Sequence, residues 1–108
     1  MASFDDRKKS FERKFEHDQE LQFKVNARRN RLLGQWAAKE LGMPAGEYDA
    51  YAKTVVMSDF DRPGDSDVVE KLLGDFKAKG IEMTEHRLRK HMDELMIEAR
   101  QQLMTELG

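Results

Sequence analysis

Apolar residues along this chain recur at helical spacing, and no run of strand alternation interrupts them. Tyr48, Tyr51, Ala52, Val55, Val56 and Phe60 fall at i, i+3, i+4, the stripe of one buried helix face. Val68, Val69, Leu72, Leu73 and Phe76 repeat that stripe, and Leu88, Met92, Leu95, Met96, Ala99 and Leu103 carry it to the end of the chain. Upstream, Leu32, Leu33, Trp36, Ala37 and Leu41 form a dense apolar patch late in a long first segment.

Turn chemistry divides the stripes into elements. Ser3 offers an N-cap hydroxyl with Asp6 in the capping-box position, so the first helix is predicted to start there. Nothing breaks it until Gly42, which can take the left-handed cap conformation, and Pro44, which cannot continue the ladder; Gly34 is its one weak internal point. The second helix ends at Arg62-Pro63-Gly64. Asp65 offers an N-cap for the third, which Gly80 stops. Thr84 caps the fourth, with Met83 and Leu88 placed as a hydrophobic staple.

These elements predict an all-α four-helix bundle. Its core is expected from helices two, three and four plus the latter half of helix one, with the methionines mostly as core filler. A continuous helix over residues 4 to 41 would be roughly 55 Å long at 1.5 Å per residue, longer than such a domain is wide. Its first part must therefore project, be mobile, or fold back. The expected organisation is an N-terminal helical segment, residues 1–20, followed by a bundle domain, residues 21–108.

The pattern of that first part changes the picture. Phe4, Phe11 and Phe15 are spaced by seven and four residues, which keeps them within a stripe about 40° wide at 100° per residue. Around them Asp5, Asp6, Arg7, Lys8, Lys9, Glu12, Arg13, Lys14, Glu16 and Asp18 supply five acids and five bases that can pair along the helix. Packing back on the bundle is the general fate of an apolar stripe. So sparse a stripe buries little on its own and also fits a helix that docks into a partner's groove. As a free helix it would be marginal.

Charged residues are 37% of the chain, yet the net charge is only −2, so no whole-molecule field draws it to nucleic acid or to an anionic membrane. Lys24, Arg28, Arg29 and Arg31 make the one local basic stretch of the first half, with Asn26 and Asn30 interleaved. They are candidates for phosphate or partner contact; without aromatic interleaving they read first as a solvated face or a patch for an acidic partner. His86, Arg87, Arg89, Lys90 and His91 form a second basic cluster, expected on the surface and paired to the acidic loop of Asp59, Asp61, Asp65 and Asp67.

Little here points to catalysis. Zero cysteines exclude thiolate chemistry and disulfides and fit a reducing compartment. His86 and His91 lie about 140° apart around a helix and are not a chelating pair. His17 beside Asp18 has no nucleophile in attendance, and no glycine-rich phosphate loop follows a strand. No apolar run is long enough to span a membrane, and no export signal opens the sequence. No metal or cofactor is expected, and the chain reads as a protein that binds rather than an enzyme.

Taken in order, Ser3-Phe4-Asp5-Asp6-Arg7, Phe11-Glu12 with Phe15, His17-Asp18, Ala27-Arg28-Arg29-Asn30, Leu32-Leu33-Gly34 and Trp36-Ala37-Ala38 resemble the zeta subunit family, the ATPase inhibitors of alphaproteobacterial F-type ATP synthases. The likeness continues through Tyr51-Ala52-Lys53, Val55-Val56, Asp59-Phe60, Pro63-Gly64-Asp65, Glu85-His86, Leu88-Arg89 and Met92-Asp93-Glu94-Leu95. Lys8 and Lys9 make the tip more basic than the family pattern.

The resemblance implies a cytoplasmic regulator, monomeric when free and peripheral on the membrane-bound synthase, with the alpha, beta and gamma subunits of the catalytic head as partners. Its N-terminal helix would enter the catalytic-subunit interface and block ATP hydrolysis. On that carry-over Phe4, Asp5, Asp6, Arg7, Phe11, Glu12 and Phe15 form the inhibitory stretch. It also implies weak adenine-nucleotide binding to the bundle. The alternative is a small helical nucleotide-binding or nucleic-acid-associated protein without an inhibitory role.

Overall fold

The computed structural model describes residues 19–59 and 64–107, all-α throughout. Four α-helices occur among the described residues: α1 (Gln19–Glu40), α2 (Tyr48–Ser58), α3 (Ser66–Ala78) and α4 (Glu85–Leu107), with a 3-10 turn at Ala45–Glu47 ahead of α2. That turn had no signal in the apolar pattern. The Ser3 start of the first helix, Phe60 and the Arg62-Pro63 break lie outside the described residues.

The helix ends are where the turn residues put them. Gly42 (φ 80°) follows α1 in the left-handed conformation. Its N–H donates to the Lys39 carbonyl at 3.0 Å, and the Met43 N–H donates to the Ala38 carbonyl at 3.0 Å. These two bonds satisfy carbonyls the helix leaves open. Gly80 (φ 72°) closes α3 the same way, with Ile81 N–H reaching back to the Phe76 carbonyl at 2.9 Å. Thr84 caps α4 as expected, its Oγ1 accepting from Arg87 N–H at 3.1 Å. Asp65 does occupy the N-cap position of α3, but its carboxylate makes no cap bond and is turned to Arg29 instead. A charged donor outcompetes the neutral N–H groups of the first turn for that carboxylate.

α1 is the axis of the molecule and packs against α2 and α4. α2 runs antiparallel to it, since Asn30 meets Asp59, Gly34 meets Ala52 and Gln35 meets Asp49. α4 is also antiparallel, with Trp36 beside His91 and Arg28 beside Gln102. One core cluster draws on all four helices, centred on Leu33, Val55, Val68, Leu72, Phe76 and Leu88, each fully buried. A second, smaller cluster joins Leu21 and Val25 of α1 to Ala99 and Leu103 of α4. Most of the described methionines serve the core as expected: Met92 is buried and Met43, Met83, Met96 and Met104 pack against it, while Met57 is the exception at 64% exposed.

α1 continues unbroken through Gly34, and the reason is the α1–α2 crossing rather than tolerance of a weak point. A Cβ placed there would lie 2.5 Å from Ala52 Cα and 3.0 Å from Ala52 Cβ. Only a residue without a side chain lets the two backbones approach so closely. Gly34→Ala is expected to cost about 1–3 kcal/mol through overpacking, more than the roughly 1 kcal/mol of helix propensity it gains. A chemical-denaturation midpoint at or above wild type would show that the crossing opens freely.

Candidate partner-binding surface

The stretch Phe4, Asp5, Asp6, Arg7, Phe11, Glu12 and Phe15 lies outside the described residues, as do His17 and Asp61. The basic stretch is described, and its four members go to four different places. Lys24 is exposed and pairs along the helix with Glu20 at 3.5 Å. Arg28 crosses to α4, where Nη1 donates to Gln102 Oε1 at 2.9 Å and to Glu106 Oε1 at 2.8 Å, and Nη2 donates to Glu106 Oε2 at 2.9 Å. That fork raises the Arg28 pKa through the Glu106 hydrogen bond and, against slight desolvation, lowers that of Glu106. Arg31 faces solvent.

Arg29 is 2% exposed and Asn30 is 1% exposed, so the middle of the basic stretch is interior. Arg29 Nε donates to Asn30 Oδ1 at 2.7 Å, and Nη2 donates to Asp65 Oδ1 at 2.6 Å. Asn30 Nδ2 in turn donates to Asp59 Oδ2 at 2.9 Å. Two neighbouring residues of α1 thus hold both ends of the α2–α3 connection. Asp59 and Asp65 are engaged here rather than with the α4 bases, two of which pair on their own helix: Arg89 with Glu85 at 3.7 Å, and His91 with Glu94 at 3.9 Å. A buried guanidinium must be matched by a carboxylate, whereas exposed α4 bases can be satisfied by water.

Burial raises the Asp59 pKa above its ordinary 3.8, only partly opposed by Asn30 and Arg29 and reinforced by Asp65 and Asp67. The folded form therefore binds the proton more tightly than the unfolded chain. The stabilisation this gives is fully present below pH 3.8 and is lost as pH rises through the folded value. Asp59→Asn keeps an oxygen for Asn30 and removes the charge, so its unfolding midpoint should exceed wild type at pH 7, with the gap closing on acidification. A lower midpoint at pH 7 would contradict this.

Two further groups of contacts form around Tyr51 and Trp36, and the links of these two residues to other helices had no signature in the sequence. Tyr51 of α2 donates to Asp75 Oδ2 of α3 at 2.6 Å, and Lys71 approaches the same oxygen at 3.1 Å while lying 5.1 Å from the Tyr51 ring centroid. Burial first, then the Asp75 bond and charge, push the Tyr51 pKa far above the usual phenol range. Trp36 is held between Phe76, edge-on at 6.0 Å, and His91, stacked at 4.3 Å. Outside these, an open groove of about 470 Å³ runs between α1 and α2, lined by Arg31, Asp49, Ala52, Lys53, Val56 and Met57.

Among the described residues no three His, Asp or Glu side chains group as metal ligands, and no helix is long and apolar enough to cross a membrane. The arrangement joins α1 to α4 through Arg28 and to the α2–α3 connection through Arg29 and Asn30.

No curated protein matches the chain. Among solved structures, one described as a solution NMR structure is 44% identical, superposes with a TM-score of 0.71, and covers 80% of this chain and 98% of its own. The family described as ATPase inhibitor subunit zeta matches residues 1–102. By that match, which runs through α1 to α4 and includes the aromatic segment ahead of them, the chain belongs to the ATPase inhibitor subunit zeta family.

Proposed function

We propose that this chain inhibits ATP hydrolysis by an F-type ATP synthase, acting by binding rather than by turnover. Its stretch Phe4 to Phe15 is the part inserted at the catalytic-subunit interface, against the alpha, beta and gamma subunits of the head at the cytoplasmic face of the membrane. The observation that carries this reading is that the family match begins at residue 1 and so includes the three-phenylalanine stripe. The bundle supports the same reading. Leu21 and Val25 are buried with Ala99 and Leu103, and Arg28 is forked onto Glu106, so the start of α1 is fixed to α4. A wedge needs such a base, because torque on the inserted helix must be met by something that does not bend.

Insertion orders a segment at a conformational cost, and burial of phenylalanine rings at roughly 1.5–3 kcal/mol each offsets it. The direct test is ATP hydrolysis by the cognate synthase with and without the purified chain. Hydrolysis is expected to fall saturably as the chain is added; a rate that is unchanged at saturating chain removes the proposal.

A further inference from the structure

We infer that the C-terminal end of α4 is a positioning element for inhibition: Gln102 and Glu106 clasp Arg28 and hold the first turns of α1 in the orientation that insertion needs. This rests on the inhibitory reading above. It adds Leu103 and Glu106, which lie beyond the family match to residues 1–102.

The support of α1 thins toward Gln19. Leu33, Ala37 and Leu41 are buried in a cluster drawn from all four helices. Ahead of them, the cluster of Leu21, Val25, Ala99 and Leu103 draws on α1 and α4 alone. Arg29 and Asn30 mark the boundary, since they carry α1's bonds to the α2–α3 connection. Between that boundary and Gln19 the buried cluster is that of a two-helix stalk. Helices joined by so short an apolar seam are marginal without further support.

Arg28 supplies it. Its guanidinium makes three bonds of 2.9, 2.8 and 2.9 Å to Gln102 and Glu106, which stand one turn apart on α4. Gln102 is itself oriented, because Nε2 donates to Glu98 Oε1 at 3.3 Å and leaves Oε1 for Arg28. Glu98, Gln102 and Glu106 thus stand at four-residue spacing, and the Arg28 fork ties this row to α1. An exposed single-point pair is worth little, but a planar fork on two residues fixes direction as well as distance. Its neighbours do other work: Lys24 pairs within α1 and Arg29 with Asp65.

A clasp depends on opposite charges meeting, whichever residue carries each; a direct contact with the head depends on the residue itself. The test uses the full chain and the cognate synthase, measuring the concentration for half-inhibition of ATP hydrolysis. Arg28→Glu and Glu106→Arg, each alone, set like charges together and should raise it about fivefold or more. The double reversal should return it to within about twofold of wild type. Arg28→Lys keeps the charge, loses the fork and should fall between. The unfolding midpoint read from Trp36, the sole tryptophan, should stay at the wild-type value throughout. Amide-exchange protection in the single reversals should drop at Leu21 and Val25 and persist at Leu33 and Ala37. Lost inhibition that the double reversal does not restore means that Arg28 or Glu106 touches the head, and overturns the inference. Unchanged inhibition in the single reversals, or a lowered Trp36 midpoint, overturns it too while leaving the inhibitory reading intact. A wild-type chain that does not inhibit overturns both.

Discussion

Removal of residues 2–18 is expected to abolish inhibition of ATP hydrolysis while the remaining chain still unfolds cooperatively. The argument has two parts. The buried cluster around Leu33, Val55, Leu72 and Phe76 is assembled from α1, α2, α3 and α4, so the bundle has its own core to unfold. The deleted stretch carries Phe4, Phe11 and Phe15, the apolar anchors of the proposed insertion. Replacing the three rings with alanine isolates the same effect without shortening the chain. With each ring contributing roughly 1.5–3 kcal/mol when buried, the concentration for half-inhibition should rise by at least about 100-fold. Near-wild-type inhibition by either variant would place the inhibitory element elsewhere.

What the sequence disclosed and what it hid follow from the range of each interaction. Helix positions were legible because their signals are local: Gly42 and Gly80 close helices by bonds that reach back three to five residues, and Thr84 caps within one turn. The buried stripes were legible because helical periodicity sorts residues by face before any partner is known. The charge run from Lys24 to Arg31 was not. Its residues look alike in sequence, yet successive positions turn by about 100°, so Arg28 meets Glu106, Arg29 meets Asp65 and Arg31 meets solvent. Pairings separated by tens of residues leave no periodic trace, which is why Tyr51–Asp75 and Trp36–His91 were also missed. Gly34 misled for a related reason: glycine reads locally as a weak helix former, and only the position of Ala52 shows what its missing side chain permits. Of the candidate site, the basic residues were placed by the structure, while Phe4 to Phe15 lie outside the described residues.

The pair between Arg29 and Asp65 carries the largest expected stability effect, and it is asymmetric. The Arg29 side chain is 2% exposed and that of Asp65 is 39% exposed. Asp65→Ala therefore strands a guanidinium that water cannot reach, leaving it only the Asn30 oxygen at 2.7 Å. Breaking a buried pair in this way costs about 3–5 kcal/mol, a large share of the roughly 5–15 kcal/mol that stabilises a domain. Arg29→Met instead leaves a carboxylate that can rehydrate and fills much of the vacated volume with an apolar chain. Its cost should be smaller, about 1–3 kcal/mol, mainly from the unmet Asn30 oxygen. Combining the two substitutions should recover part of the loss seen in Asp65→Ala, because the stranded charge is gone. Since the pair is buried at one end, the Asp65→Ala deficit should also survive added salt, which would screen the more exposed Arg28–Glu106 fork. Denaturant melts of the three variants decide the matter: if Arg29→Met proves the more damaging single change, or the double variant is the least stable, then packing of the Arg29 stem and not its charge is what holds α1 to the α2–α3 connection.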